Sequence, residues 1–287
     1  MASRFGVVGC GYVGSAVATH LRSAGFELTG TVTNPARLGE LCDLVDHPRI
    51  YKAGDQGSDH AFIDDLDGLL IAMAPTSSSF EEDQYQSVFG AGISDLVNGV
   101  QSRRSRTPLH VTYLSSAGVY GDQAGALCHE QTPPDETSST NALLLEAERR
   151  ILSLNTDDIQ ACVLRLGGIY GPGKDIASFI RSASGNLVPK NGSHINAWIH
   201  RDDIVRGVDF AFNKRLQGIF NLVDELQLSR RELSNALCDE EGLAPVIWEN
   251  HDRPGARVFN ARVSNSRLKE VGFTPRVSSM LESLPVA

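Results

Sequence analysis

Long apolar runs are missing from this sequence. No stretch approaches the roughly 18 uninterrupted apolar residues that cross a bilayer, and Met1–Phe5 leads straight into a strand-like run rather than an apolar leader. A cytoplasmic chain with no membrane partner is expected. Positive charge is also short, with 26 Lys and Arg against 35 Asp and Glu and a formal net charge of −9. Surfaces that grip nucleic acid concentrate basic side chains on one face, so no nucleic-acid partner is expected. The one short basic run, Arg103, Arg104 and Arg106, reads as a solvated helix end or loop. The five cysteines are scattered, odd in number and form no CxxC pair, which argues against a disulfide framework or a thiolate metal centre and for small buried thiols. No HxxxH or HxH spacing stands near a carboxylate, so no metal site is expected, and the GxSxG elbow of a hydrolase is absent.

What is present is an alternation of strand-like and helix-like segments through the first 165 residues, the mark of βαβ units and a parallel sheet. Strands are predicted at Arg4–Val8, Phe26–Val32, Arg49–Lys52, Gly68–Ala74, Leu109–Ser115 and Gln160–Leu166. Val13, Val17 and Leu21 recur one helical turn apart and Gly25 follows where a terminating glycine belongs. Leu143, Leu144, Ala147 and Ile151 form a second stripe, with Glu146, Glu148, Arg149 and Arg150 at the other positions. After Leu166 the chain is richer in Gly, Pro and Asn, with shorter periodic elements. The expected organisation is α/β: residues 1–165 form a doubly wound dinucleotide-binding domain, and residues 166–287 a smaller substrate lobe. The strand-like run 218–223 returns to the main sheet, so the two interleave.

Gly9-Cys10-Gly11-Tyr12-Val13-Gly14 matches GxGxxG between a predicted strand and a predicted helix, with a second strand following, as a dinucleotide-binding βαβ unit requires. Gly9 permits the tight turn, Gly11 lets the backbone approach a pyrophosphate, and Gly14 lets helix and strand pack closely. The end of the second strand reads Thr31-Val32-Thr33-Asn34-Pro35-Ala36-Arg37, without the carboxylate that an NAD site places on the ribose hydroxyls. Thr33 and Asn34 are neutral hydrogen-bonders, and the Arg37 guanidinium suits a 2′-phosphate. NADP is therefore the expected cofactor, with NAD as the alternative. Asp55 and Gln56 offer hydrogen bonds to an adenine edge or form a simple turn. Ala74 and Pro75 end the fourth strand, where small residues let a nicotinamide ribose lie against the backbone.

Four further segments converge: Leu114-Ser115-Ser116-Ala117-Gly118-Val119-Tyr120-Gly121, Leu166-Gly167-Gly168-Ile169-Tyr170-Gly171-Pro172-Gly173, Trp198-Ile199-His200-Arg201-Asp202-Asp203 and Phe220-Asn221-Leu222-Val223. With the glycine loop they resemble the NAD(P)-dependent epimerase/dehydratase family, the extended short-chain dehydrogenases/reductases, from Phe5 to about Leu284. The resemblance implies a Rossmann domain with a substrate lobe, and a serine, here Ser116, that hydrogen-bonds the reacting oxygen, with Ser115 beside the cofactor. It also implies a Tyr-x-x-x-Lys pair on a helix, and this chain departs from that pattern. Aligning Glu148 with the family's helical Glu puts Thr140 at the Tyr position and Leu144 at the Lys position. Tyr120 and Tyr170 are the remaining candidate proton donors near the pocket. His200 is expected to anchor a turn and Asp202 to cap the following helix. Two activities follow. One is an epimerase/dehydratase-like oxidoreductase acting on a small polar substrate, such as a nucleotide sugar. The other is a catalytically silent NADP(H)-binding sensor. Family members often dimerise, so a homodimer is a further expectation.

Overall fold

The structure is a computed structural model that describes residues 2–55, 57–75, 82–252 and 257–282. In chain order the elements are β1 (Arg4–Val8), α1 (Tyr12–Ser23), β2 (Glu27–Val32), α2 (Leu38–Cys42), β3 (His47–Ile50), β4 (Gly68–Ile71), α3 (Glu82–Tyr85), α4 (Ile93–Gln101), β5 (Leu109–Ser116), β6 (Asp122–Cys128), α5 (Ser139–Leu152), β7 (Ile159–Leu166), β8 (Gly168–Tyr170), α6 (Ile176–Ala183), β9 (Leu187–Asn191), β10 (Trp198–His200), α7 (Arg201–Lys214), β11 (Gly218–Leu222), α8 (Arg230–Glu241), β12 (Ile247–Glu249), β13 (Asn260–Val263) and α9 (Ser266–Glu270).

The inner strands carry near-continuous apolar runs because helices cover both faces of a parallel sheet. β4 is buried throughout and β5 from Leu109 to Ser115. Among the described residues seven strands form one parallel sheet in the order β3-β2-β1-β4-β5-β7-β11. This is a doubly wound Rossmann sheet. Its strand order reverses between β1 and β4, and ligands of such sheets bind beyond the carboxyl ends of the strands at that reversal. β4 stops at Ile71, not at Ala74: its ladder to β1 ends at the pair Val8–Ile71, beyond which Gly9 turns away. β3 lies at His47–Ile50 for the same reason, its last residue pairing with Val32, the last of β2.

Two compact units divide the chain. The first comprises 1–115, 139–164 and 205–220. Its core includes an edge-to-face trio of Phe5, Phe26 and Phe212, with ring centroids 5.3 to 6.1 Å apart. Such pairs add about 0.5–1.5 kcal/mol each beyond the area they bury. Arg103 belongs to this unit and is buried rather than solvated. Its Nη2 donates to the Thr107 carbonyl at 3.1 Å, while Arg104 and Arg106 remain exposed.

The second unit comprises 116–138, 165–204 and 221–287. Among the described residues, the two-stranded pairs β8–β10, β9–β12 and β6–β13 frame it. Ile180, Leu233, Leu237 and Trp248 lie in its apolar core. Ser229 opens α8 with a capping box: its Oγ accepts from Glu232 N, and Glu232 Oε2 accepts from Ser229 N at 2.8 Å. That exchange satisfies two backbone donors that a helix start otherwise leaves open.

Candidate functional site

In the first unit, Gly9 adopts φ +96°, a conformation that side chains rarely take, and a Cβ there would lie 2.9 Å from the Ala72 carbonyl oxygen. The turn is held by Cys10 N donating to the Thr31 carbonyl at 2.8 Å and Gly9 N donating to Thr31 Oγ1 at 3.1 Å. Gly11 is the residue at which α1 begins, and no side chain caps it. A Cβ on Gly11 would meet nothing within 4 Å, whereas one on Gly14 would fall 2.1 Å from the Gly9 carbonyl oxygen. The three glycines thus do different work: a turn, an open approach, and helix-to-loop contact. Tyr12 and Val13 form the half-buried first turn of α1. Backbone N–H groups and the helix dipole at such a start suit a pyrophosphate, so the cradle fits a dinucleotide. Burial pushes the Cys10 thiol up to about 11, against a Thr31 backbone hydrogen bond and the Arg37 charge.

Thr33 is exposed at the end of β2. Asn34 Oδ1 accepts from Ala36 N at 3.0 Å, capping the 3-10 turn Pro35–Arg37. That turn presents Arg37 half-exposed, with its Nε 3.3 Å from Glu40 Oε2. Asp55 is exposed and pairs with Lys52 Nζ at 3.0 Å. Gln56 lies outside the described residues. Ala74 and Pro75 follow β4 without regular structure. Asp95 on α4 gathers a cluster that the sequence did not announce, accepting from Tyr51 Oη at 2.8 Å and Gly54 N at 3.0 Å, with His60 Nε2 at 3.1 Å. The hydrogen bonds keep the Asp95 carboxyl below its ordinary range although burial pulls it the other way.

At the end of β5, Ser115 is 6% exposed, and its hydroxyl donates to Glu148 Oε1 at 2.6 Å, bracing a buried carboxylate. Glu148 itself is 2% exposed, on the inner face of α5 rather than among the outer charges. Thr140 sits in the first turn of α5, half-buried, and Leu144 is buried.

In the second unit, Ser116 keeps partial exposure, and its Oγ accepts from Gly118 N at 3.0 Å, which leaves its O–H to donate elsewhere. Tyr120 is fully buried, with its hydroxyl donating to Asn221 Oδ1 at 2.9 Å and the Arg165 guanidinium 5.1 Å above its ring. Tyr170 is 4% exposed and donates to Asp224 Oδ2 at 2.9 Å. Burial raises both phenols above their ordinary range; Arg165 opposes this at Tyr120, and Asp224 adds to it at Tyr170. Asp224 is 1% exposed, and burial lifts its carboxyl to about 7.

Tyr170, Pro172, Lys174, Ile176, His200 and Met280 line a cavity of about 340 Å³ in this unit. His200 is the cap of α7, its Nδ1 accepting from Asp202 N at 3.2 Å, and Asp202 occupies the first turn instead. Asp203 accepts from Arg276 N and Val277 N at 2.8 and 2.9 Å.

A sequence model of the NAD dependent epimerase/dehydratase family matches residues 7–222. The chain belongs to this family. Protein YeeZ of Escherichia coli K12 is 24% identical over 275 residues, covering 93% of each chain. The 3-diazoavenalumate denitrifying reductase of a Streptomyces species is 23% identical over 238 residues, covering 78% of this chain and 75% of the reductase. Among solved structures, UDP-glucose 4-epimerase of Thermus thermophilus in complex with NAD superposes with a TM-score of 0.76 at 19% identity. The match covers 96% of this chain and 95% of the epimerase. At that identity the likeness is one of fold. Members of the family are NAD-dependent, and this chain carries the glycine cradle without the Tyr-x-x-x-Lys pair. Among the described residues no helix is long and apolar enough to cross a membrane, and no cluster of His, Cys, Asp and Glu could hold a metal.

Sequence reasoning also missed Arg257. A Cβ on Gly118 would lie 2.8 Å from Arg257 Nη2 and 3.0 Å from Ser116 Oγ, so guanidinium and hydroxyl close on the same bare Cα. No spacing rule links positions so far apart in the chain.

Proposed function

We propose that the chain is an epimerase/dehydratase-type oxidoreductase that uses NADP(H) on a small polar substrate, with Ser116 orienting the reacting oxygen. The observation that carries the proposal is the division of labour among Gly9, Gly11 and Gly14, which leaves open only the position a pyrophosphate would approach. Arg37, next to a strand end that lacks a carboxylate, supports a 2′-phosphate. When bound, the nicotinamide supplies or accepts hydride. Ser116 accepts from Gly118 N and so has its proton available for the substrate oxygen, where a donor is worth roughly 10²- to 10³-fold in rate. Tyr120 and Tyr170 hold the second unit together through Asn221 and Asp224, while Thr140, whose hydroxyl is a far weaker acid than a phenol, offers a hydrogen bond rather than a proton.

The relatives act on a sugar nucleotide and on a diazo compound, as their names state, which spans the substrate range to be tried. NADPH absorbance is followed with sugar nucleotides and with carbonyl compounds, for the wild type and for Ser116→Ala. Turnover of at least one substrate, reduced about a hundredfold or more by the substitution, is the expected result. The buried Leu144 at the lysine position favours the silent-sensor reading. Tight NADPH binding without turnover across the panel, or turnover indifferent to Ser116→Ala, would decide against the catalytic assignment.

A further inference from the structure

Residues 109–121 form β5 and the turn behind it, and all are buried except Ser116 and Gly118, which keep partial solvent exposure. Arg257 meets this opening in the second unit. Its Nη2 would lie 2.8 Å and its Cζ 3.5 Å from a Cβ on Gly118, with Ser116 Oγ 3.0 Å from the same point. Glycine at 118 leaves this space to the guanidinium, the far end of a flexible side chain. Arg257 is itself exposed.

We propose that Arg257 binds the substrate, and that the substrate carries an oxyanion, a carboxylate or a phosphate, close to the carbon whose oxygen meets Ser116. This deepens the function proposed above and rests on it. The physical reason is the pairing of two unlike donors at one opening. Ser116 offers a single neutral O–H suited to a hydroxyl or carbonyl oxygen. Arg257 offers a planar fork that stays charged at every working pH and matches an oxyanion through two parallel hydrogen bonds. Asp135 Oδ2 would lie 2.6 Å from a Cβ on Gly121, and its other oxygen Oδ1 accepts from Thr137 N at 2.9 Å. That carboxylate lies beyond the turn from Ser116 and Gly118, so the oxyanion belongs on the Arg257 side of the opening. The substrate class is therefore a 2-oxo or 2-hydroxy acid, or a phosphorylated ketone or alcohol of similar size.

Isothermal titration of the NADPH-loaded protein tests this with three probes: oxamate carries a carboxylate beside a carbonyl, dihydroxyacetone phosphate a phosphate near one, and dihydroxyacetone neither. At least one anionic probe is expected to bind while dihydroxyacetone does not, and the probe that binds distinguishes carboxylate from phosphate. Arg257→Gln, which keeps a stem and an amide donor but loses the charge, should weaken that probe roughly tenfold or more, and Arg257→Lys should recover part of the loss. NADPH affinity, measured separately, should be the same in all three proteins. Failure of both anionic probes to bind, or equal binding by wild type and Arg257→Gln, overturns the proposal. Loss of NADPH binding by the wild type would instead overturn the cofactor reading on which it rests.

Discussion

Replacing Gly11 and Gly14 by alanine, one at a time, separates nucleotide binding from folding. At Gly11 the backbone is extended, with φ −90°, and a new Cβ would meet no atom within 4 Å. The folded chain accepts that methyl, and the lost freedom of the unfolded chain adds about 0.4–1 kcal/mol of stability. The same methyl occupies the space through which a pyrophosphate reaches the start of α1, so NADPH binding should fall by at least tenfold while the apo protein melts no lower. At Gly14 the new Cβ would stand 2.1 Å from the Gly9 carbonyl oxygen and 3.3 Å from Val7 Cγ1. Backbone cannot give way as a flexible side chain does, so α1 must move off β1. Overpacking of this kind costs about 1–3 kcal/mol, or roughly 2–4 °C in melting temperature for each kcal/mol in a chain of this size. Urea unfolding of the apo proteins and titration with NADPH give the two quantities independently. An unchanged NADPH affinity in Gly11→Ala, or an unchanged apo stability in Gly14→Ala, would refute the division of labour.

Arg37→Ala should weaken NADPH roughly tenfold to a hundredfold and leave NADH nearly unchanged, since a charge-assisted bond is worth about 1.5–3 kcal/mol; equal losses would exclude the 2′-phosphate role. Folding lifts the Asp224 carboxyl from 3.8 to about 7, so the folded chain keeps a proton that the unfolded chain releases between those values, and stability falls as pH rises through that window. Asp224→Asn should flatten that part of the stability curve, measured by urea unfolding at several pH values, and parallel curves for the two proteins would contradict this. His110 is the opposite case. Burial lowers its pKa from 6.5 to about 4 while its ring nitrogen Nε2 lies 2.9 Å from the Leu216 carbonyl oxygen, so its contribution is complete above 6.5 and lost as pH falls towards 4. Its ring resonances should titrate near 4; a midpoint near 6.5 would show the imidazole open to water. Ser229→Ala, which opens the capping box of α8, should cost about 1 kcal/mol in urea unfolding, and no cost would mean that the box carries no stability.

The glycine loop was legible because each glycine answers a local demand, and the inner strands because burial on both faces writes them as apolar runs. Strand ends were not legible in the same way: β4 stops at Ile71 because its neighbour β1 stops at Val8, a fact about two segments rather than one. Glu148 reads as an outer charge from helical spacing alone. Its burial goes with a partner on another element, Ser115, which donates to it. His200 takes the capping role expected of Asp202 because an imidazole nitrogen one residue before the helix reaches the Asp202 N–H. Arg103 carries the same lesson, since a basic run predicts solvent and the Thr107 carbonyl supplies shelter. Arg257 is the extreme case: its neighbour Ser116 is brought close only by the path of the whole chain.

The interleaving of the two units bears on how the protein emerges from the ribosome. The chain passes from one unit to the other after residues 115, 138, 164, 204 and 220. The first unit, although it begins at the amino terminus, therefore lacks its last segment until residues 205–220 have been synthesised. His110 waits for Leu216 and Phe5 for Phe212. Long loops of this kind are slow to close, and the apolar faces they leave uncovered in the meantime are what chaperones bind. A nascent chain halted near residue 200 should thus be a chaperone client even though the whole glycine loop is already made.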